Sequence, residues 1–561
     1  MLDACPWPSI WSFKNLTDAK PRFDYTEAVE NFSFDVPKNF NFAFDVLSKR
    51  AAQNDKTALI YIDRNGHHVE NLSYGDLERA SSRFANALIS LGIKKTDTLM
   101  VVLPRIPEWY HVVLGCAKMG AVAMPGTNLL TANDLKYRIN SSSAKVAVVS
   151  EMHAEAIDEI KAECPSLEYL IIVHGYRNGW YSFEEICKQE SDYIDRSMVP
   201  PTSCDDLMLI YFTSGTTAMP KMVGRDHAYS LAHEITKTYW QDLHEEDVHW
   251  TLTDTGWAKA AWGLLYPQIL AGCAIILYDG DGFDLNMHLH IIKEHKVTTF
   301  CAPPTIYRLM AKEDLSKADF SSLRHCFGAG EPLNPEAMRI WKTATGCDIY
   351  DGYGQTETIN IVANFPGMEI RPGSMGRPCP GFTVDIIDDV GKVLSDGEIG
   401  HIGIKITQPY PPGLFKGYYG DAKKTAEVFR NGWYYSGDTA TRDKDGYIWF
   451  VGRSDDIISS SGYRISPFEV ESALIEHPGV VESAVVAKPD PIRGEIVKAF
   501  IVLASDYAAS DELAFEIQNF VKQHSAPYKY PREIEFKKSL PKTISGKIRR
   551  VELRSKIPKV T

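Results

Sequence analysis

The chain has 561 residues, 44% of them apolar and 24% charged, an ordinary composition for a folded protein but too long for one core, so two or more domains are expected. A formal net charge of −13 argues against a general nucleic-acid or membrane-surface binder, since phosphate would have to be held locally against the field of the whole molecule. Ten cysteines without a Cys-x-x-Cys pair suggest reduced thiols in a cytoplasmic protein, and no apolar run is long enough to predict a membrane span. The first residues, with Asp3, Pro6 and Pro8, do not read as a signal peptide.

From about residue 42 to 350, short β-branched runs alternate with longer amphipathic segments. Strands are expected at 98–103, 145–150, 169–173, 207–212, 274–278 and 297–301, with helices between them, for example at 109–119 and 228–239. That alternation predicts two doubly wound α/β sheets with binding loops at the carboxyl ends of their strands. One such loop is Thr213-Ser214-Gly215-Thr216-Thr217, followed by Lys221 behind Pro220. Small hydroxyl residues around a glycine let several backbone N–H groups converge on an anion, and the lysine adds a mobile cation. The Walker spacing is absent, and a plain Ser/Thr-rich turn is the competing reading.

Farther on, Phe327-Gly-Ala-Gly330-Glu331-Pro332 follows a strand with small residues that let a flat base approach the backbone. Asp351-Gly352-Tyr353-Gly354-Gln355-Thr356-Glu357, after a strand expected at 348–350, puts an aromatic face, two hydrogen-bonding side chains and a carboxylate on one loop. A purine needs a stacking partner and a phosphate-bound Mg²⁺ a hard oxygen ligand; an ordinary turn fits the residues equally well. Beyond residue 372 glycine and proline become frequent, and short strands at 383–387, 401–406 and 447–451 predict a small antiparallel barrel or meander extending to 453. There Asp438 is placed to accept ribose hydroxyls beside Arg453, although Gly-Asp is also a common Asx turn.

A third texture covers 454–561: helix 467–476, strands 480–487 and 497–503, helix 511–524 and strand 533–537, an α+β module able to fold alone. The polar segment 452–457 joins it to residues 1–453 and is the expected hinge. Near its end, Lys547 sits behind Gly546 on a turn that can present the ammonium to a cleft.

Taken in this order, the motifs resemble the acyl-adenylate-forming superfamily of acyl-CoA synthetases, luciferases and nonribosomal adenylation domains, over about residues 40–555. Asp254-Thr-Gly-Trp257, Ser460-Ser-Gly-Tyr-Arg464, Pro489-Asp-Pro-Ile-Arg-Gly494 and Ala526-Pro-Tyr-Lys-Tyr-Pro-Arg532 look most like medium-chain acyl-CoA synthetases. The resemblance implies an acid–thiol ligase that uses ATP, Mg²⁺ and CoA: a carboxylate attacks the α-phosphorus to give acyl-AMP and pyrophosphate, and a thiol then takes the acyl group. It implies phosphate binding by Thr213–Thr217 and Lys221, Mg²⁺ on Glu357 with Thr217, and charge neutralisation by Lys547. Adenine would lie between Tyr353 and Gly330-Glu331-Pro332, with Asp438 and Arg453 on the ribose. The small domain would rotate about Asp455. Gly462 would then line the pantetheine passage, with Tyr463 also at the CoA site and Arg464, Arg493, Lys522 and Tyr530 at the nucleotide end of CoA. An apolar slot by Trp257, Cys301 and Ala302 would take a medium-chain, branched or cyclic acid.

Two departures from the family pattern stand out. Ala218 follows the Thr-Thr pair where a glycine is usual, and Arg225-Asp226 places an additional charge pair just beyond the loop. The rival expectations are an adenylating enzyme that loads a carrier protein, and a degenerate ATP-binding sensor. The assembly is left open between monomer and homodimer.

Overall fold

The computed structural model describes residues 24–53, 56–213, 219–331, 333, 335–460, 463–526, 528–542, 548–555 and 557, with Arg464 described in its backbone alone. Ser214, Gly215, Thr216, Thr217, Ala218, Pro332, Gly462 and Lys547 lie outside them.

Two large sheets carry the N-terminal part. One has seven strands, in the order Tyr181–Ser182, Tyr169–Val173, Val146–Ser150, Thr98–Val102, Val122–Pro125, Leu207–Thr213 and Lys221–Asp226. All its ladders are parallel except the last, where Thr213 pairs antiparallel with Lys221. Thr98–Val102 is buried along its whole length, as a parallel strand covered on both faces must be, which is why its sequence lacks alternation. Helix Pro107–Met119 follows it, with proline in its first turn and Gly120 closing it at φ +75°. Helix Tyr74–Ser90 starts from a reciprocal cap between Ser73 and Asp76.

The second sheet has nine strands. Its parallel centre contains Thr57–Ile62, Ala274–Tyr278, Val248–Thr251, Thr299–Cys301, His325–Ala329 and Ile349–Gly354. Thr57–Ile62 pairs with Ala274–Tyr278, so the amino-terminal strands belong to the second sheet and skip the first. The last strand corrects the loop expected at 351–354: it runs through Asp351, Gly352, Tyr353 and Gly354, because Asn360–Ala363 pairs back on it.

The following unit is a five-stranded antiparallel sheet built around Trp433–Arg442. Its ladders do not close on one another among the described residues; the long strand pairs Phe429–Arg430 and Ile448–Arg453 in succession along one edge. Gly452 and Arg453 therefore belong to a strand, and the polar joint is shorter than expected, beginning at Ser454.

The C-terminal sheet is dominated by Val480–Asp490 and Gly494–Leu503, flanked by helices Pro467–Ile475 and Asp511–His524. Its own core gathers Ile458, Val470, Leu474, Val485, Ile501 and Ile517. Both long strands extend past the sequence expectation, to Asp490 and from Gly494, so that Arg493 sits in a hairpin tip capped by Asp490 Oδ1, which accepts from the Ile492 and Arg493 N–H groups at 3.0 and 2.8 Å.

Candidate active site

Asp438 is the centre of one corner. It lies on Trp433–Arg442 directly opposite Arg453, whose Nε is 3.7 Å from Asp438 Oδ1. The Tyr353 hydroxyl donates to Asp438 Oδ2 at 2.6 Å, and Gln355 Nε2 donates to the same oxygen at 2.7 Å. Gln355 also donates to the Ser436 carbonyl at 2.9 Å and accepts from the Tyr434 hydroxyl at 3.0 Å, which fixes its amide orientation. Burial, then the adjacent Asp438 carboxylate, push the Tyr353 phenol well above its ordinary range, so it remains a donor. Sequence reasoning had given Tyr353 to a base and Asp438 to a sugar; the fold ties one to the other.

Lys221, Tyr418 and Glu357 form the second corner. Lys221 opens its strand opposite Thr213, with Nζ 3.5 Å from the Tyr418 hydroxyl and 4.6 Å from the centre of that ring. The Tyr418 hydroxyl donates to Glu357 Oε1 at 3.0 Å. Burial and this carboxylate raise the Tyr418 phenol, which is held protonated between a cation and an anion. Tyr418 was missed from sequence; inside Gly417-Tyr-Tyr-Gly420 nothing distinguishes it from its exposed neighbour Tyr419. Glu357 is one buried carboxylate, and no cluster of three or more His, Cys, Asp or Glu suited to a metal occurs among the described residues. One carboxylate with substrate phosphates completing the shell suits Mg²⁺, so the residues present fit that ion.

Between the corners runs Ile349–Gly354. A Cβ at Gly352 would come within 2.5 Å of the Trp240 ring, so only glycine fits there. Asp351 is buried, and desolvation raises its carboxyl to about 8, with the Gly352 N–H opposing that shift at 3.0 Å. On the neighbouring strand end, Gly330 takes φ +103° and Glu331 accepts from the Thr305 hydroxyl at 2.8 Å, with Arg308 3.4 Å away.

The region expected to be an apolar slot contains a charge. Cys301 and Ala302 are fully buried and Trp257 is half-buried. Lys259, two residues beyond Trp257, brings its Nζ out of contact with solvent without a hydrogen-bond partner among the described residues. That Nζ stands 5.4 Å from the Trp262 ring centre. Burial pushes the Lys259 ammonium down, opposed by Cys301 and Glu331. Sequence reasoning missed it; a lysine in Trp257-Ala-Lys-Ala-Ala-Trp262 reads as a solvated side chain.

The expected charge pair Arg225-Asp226 is corrected as well. The two residues alternate to opposite sides of their strand: Arg225 is buried, whereas Asp226 caps helix His227–Ile235 and pairs with Lys416 at 2.8 Å.

On the C-terminal unit, Lys522 Nζ lies 4.1 Å from the centre of the Tyr530 ring, and Arg532, not singled out from the sequence, donates to the Tyr530 hydroxyl at 2.9 Å. Tyr463 stacks on Tyr528 with ring centres 4.3 Å apart. At the joint, Arg554 donates to the Asp455 carbonyl at 2.7 Å and pairs with Asp456 at 2.9 Å, while Arg550 holds Glu471 at 2.7 Å.

Comparison with known proteins gives the family. Residues 47–419 match the AMP-binding enzyme family, and residues 469–547 match the AMP-binding enzyme C-terminal domain. The chain belongs to the AMP-binding enzyme family. Among curated relatives, the mitochondrial acyl-coenzyme A synthetase ACSM3 of Mus musculus is 44% identical over 99% of this chain and 97% of its own length. The mitochondrial acyl-coenzyme A synthetase ACSM4 of Homo sapiens is 45% identical over 94% and 92%. Among solved structures, the anthranilate CoA ligase AuaEII in complex with anthranoyl-AMP superposes with a TM-score of 0.85 at 32% identity, covering 93% of this chain and 98% of that one.

Proposed function

We propose that this protein is an AMP-forming acyl-CoA synthetase, converting a carboxylic acid, ATP and CoA into acyl-CoA, AMP and pyrophosphate through an acyl-AMP intermediate. The observation that carries this reading is the joining of two polar corners by one segment, 351–357, within a chain 44% identical over nearly its whole length to an acyl-coenzyme A synthetase.

Asp438, already ordered by Tyr353 and Gln355, would receive the ribose hydroxyls, with Arg453 beside it. Adenine would lie along Asp351, Gly352, Tyr353 and the Gly330-Glu331-Pro332 turn. Lys221 and the 213–217 loop would hold the phosphates that leave. Glu357, with Thr217, would hold Mg²⁺, whose chemistry when bound is neutralisation of phosphate charge. Lys547 would neutralise charge between the attacking carboxylate and the α-phosphoryl group. A free carboxylate is inert to a thiol, and the anhydride with AMP supplies the leaving group that it lacks.

Residues 454–561 would form a mobile domain turning about Asp455. Its Lys522–Tyr530–Arg532 cluster, with Arg464 and Arg493, would meet the nucleotide end of CoA, and Gly462 and Tyr463 its pantetheine arm. The acid would lie against Trp257, Cys301 and Ala302. A medium-chain, branched or cyclic acid fits an aromatic and small-residue wall that has the Lys259 amine beside it. We also propose a cytoplasmic location; the nine described cysteines, all free thiols, fit a reducing compartment. The relatives named above are mitochondrial, and fractionation against a matrix marker separates the two locations. No helix among the described residues is long and apolar enough to cross a membrane.

The deciding experiment incubates the purified protein with ATP, Mg²⁺ and a panel of straight, branched and cyclic acids of short to medium length. Pyrophosphate release is followed with and without CoA. CoA-dependent AMP and acyl-CoA production is the expected result; adenylation with no acyl-CoA formed would point to a carrier protein as acceptor. Absence of turnover with every acid would leave a nucleotide sensor.

A further inference from the structure

Arg225 belongs to the charge pair singled out in the sequence, and its surroundings show what it touches there. It sits on the same face of strand Lys221–Asp226 as Lys221 and Val223 and is 2% exposed. Its Nη1 donates to the Glu357 carbonyl at 2.9 Å, its Nη2 donates to the Gly413 carbonyl, and the guanidinium lies 3.8 Å from the centre of the Tyr229 ring. Its Nε has no hydrogen-bond partner among the described residues, and no carboxylate is ion-paired with the group there. Asp226, its chain neighbour, faces the other way. A guanidinium buried against two peptide carbonyls and a ring is a costly arrangement for stability alone, since an apolar side chain would fill the space without desolvating a charge.

What the arrangement secures is Glu357. The carbonyl of that residue accepts from Arg225 and also from the Phe415 N–H at 2.8 Å. Its carboxylate accepts from Tyr418, and Tyr418 is itself bridged to Val223 of the Arg225 strand. Backbone and side chain of Glu357 are therefore both referenced to the strand whose first residue is Lys221. An arginine at this position reaches two carbonyls at once with a preorganised planar fork, a geometry that the rotatable ammonium of a lysine does not reproduce.

We propose that Arg225 is a positioning residue for the adenylation half-reaction: it fixes the Glu357 carboxylate relative to Lys221 and so sets the grip of the site on a magnesium-bound triphosphate. This rests on the reading of Glu357 as the metal carboxylate given above. Thioester formation from acyl-AMP, which carries no β- or γ-phosphate, makes no use of that grip. A residue serving stability alone would affect both half-reactions together.

The test uses the full-length protein as Arg225→Met, Arg225→Lys and Glu357→Gln variants, with an acid identified by the panel. Pyrophosphate release is measured against Mg²⁺ concentration at saturating ATP, and thioester formation is measured separately from synthetic acyl-AMP and CoA. Arg225→Met is expected to raise the Mg²⁺ half-saturation and lower the adenylation rate by about 10-fold or more, the usual effect of removing a residue that orients a ligand. Transfer from acyl-AMP is expected to be unchanged. Arg225→Lys, which keeps the charge but reaches one carbonyl, is expected to fall between, and it decides the matter if the methionine variant does not fold. An unchanged Mg²⁺ half-saturation in the variants, or one common loss in both half-reactions, overturns the proposal. If Glu357→Gln itself leaves the Mg²⁺ dependence unaltered, the metal role of Glu357 fails first, and the assignment of Arg225 falls with it.

Discussion

The nucleotide crevice and the basic face of the C-terminal unit are both assigned to phosphate-bearing molecules, yet they are built differently. In the crevice almost every polar group is already engaged: Asp438 by Tyr353 and Gln355, Gln355 by Tyr434, and Glu357 by Tyr418 and Arg225. On the C-terminal face, Lys522 and Arg532 meet on Tyr530, whose ring packs against the core of that unit, and all three are partly exposed. The first arrangement suits electrostatic stabilisation of a reacting centre, where reorganisation is costly. The second suits a nucleotide that must dock and leave, because solvent-screened cations bind phosphate without holding it. On the function proposed above, a preformed site and an adaptable one would serve successive steps.

Four expected outcomes sharpen or break that contrast. The largest is for Lys547→Ala, which should slow acyl-AMP formation by about 100-fold or more, the scale of one lost transition-state donor, while sparing CoA transfer from preformed acyl-AMP. Equal loss in both assays would end the division of labour. Next, Asp438→Ala should raise the KM for ATP about 10-fold or more, since each buried donor left without its acceptor costs roughly 1–3 kcal/mol. Thermal unfolding should report the same variant as destabilised, because even without nucleotide the Tyr353 hydroxyl loses its acceptor and Gln355 loses one of its two. Lys522→Ala and Arg532→Ala should each raise the KM for CoA about 5-fold, an effect of ~1 kcal/mol that shrinks with salt, and leave the KM for ATP alone. An ATP effect there would contradict the separation of the two faces.

The last outcome concerns Asp351 and is read from stability, on a scale separate from the kinetic effects above. Its carboxyl is raised to about 8 by burial against an ordinary value of 3.8, so between these values the folded state holds a proton that the unfolded state has released. Stability therefore falls as pH rises across that window and levels off above it. Asp351→Asn cannot titrate, so its melting temperature should gain on that of the parent from about pH 4 to pH 8 and then run parallel. A constant difference across that range would mean that the carboxylate is not desolvated.

Much of this was legible in the chain itself. The strands Tyr169–Val173 and Ala274–Tyr278 and the helix Asp511–His524 lie where hydrophobic pattern and capping residues put them. Lys221, Tyr353, Glu357 and Asp438 stood out because their neighbours are small, glycine-rich or aromatic. Arg225 was misjudged for a local reason: two charged residues in succession read as a pair, but on a strand they point to opposite faces. Lys259 was passed over because a lysine is expected in water, and only the packing around Trp257 and Trp262 takes its amine away from it. Tyr418 gave no signal, since its role is set by Glu357, 61 residues earlier in the chain.

Sequence determined the alternation of strands and helices, the chemistry available on each loop and the order of the motifs, because periodicity, capping and turn preferences act over a few residues. Tertiary structure decided which loops share a crevice. It sent Thr57–Ile62 to the second sheet beside Ala274–Tyr278, folded Asn360–Ala363 back on the strand that carries Tyr353, and brought Tyr418 between Lys221 and Glu357. The first and last of these join residues tens to hundreds of positions apart, where burial of shared apolar surface and satisfaction of backbone polar groups outweigh any local preference.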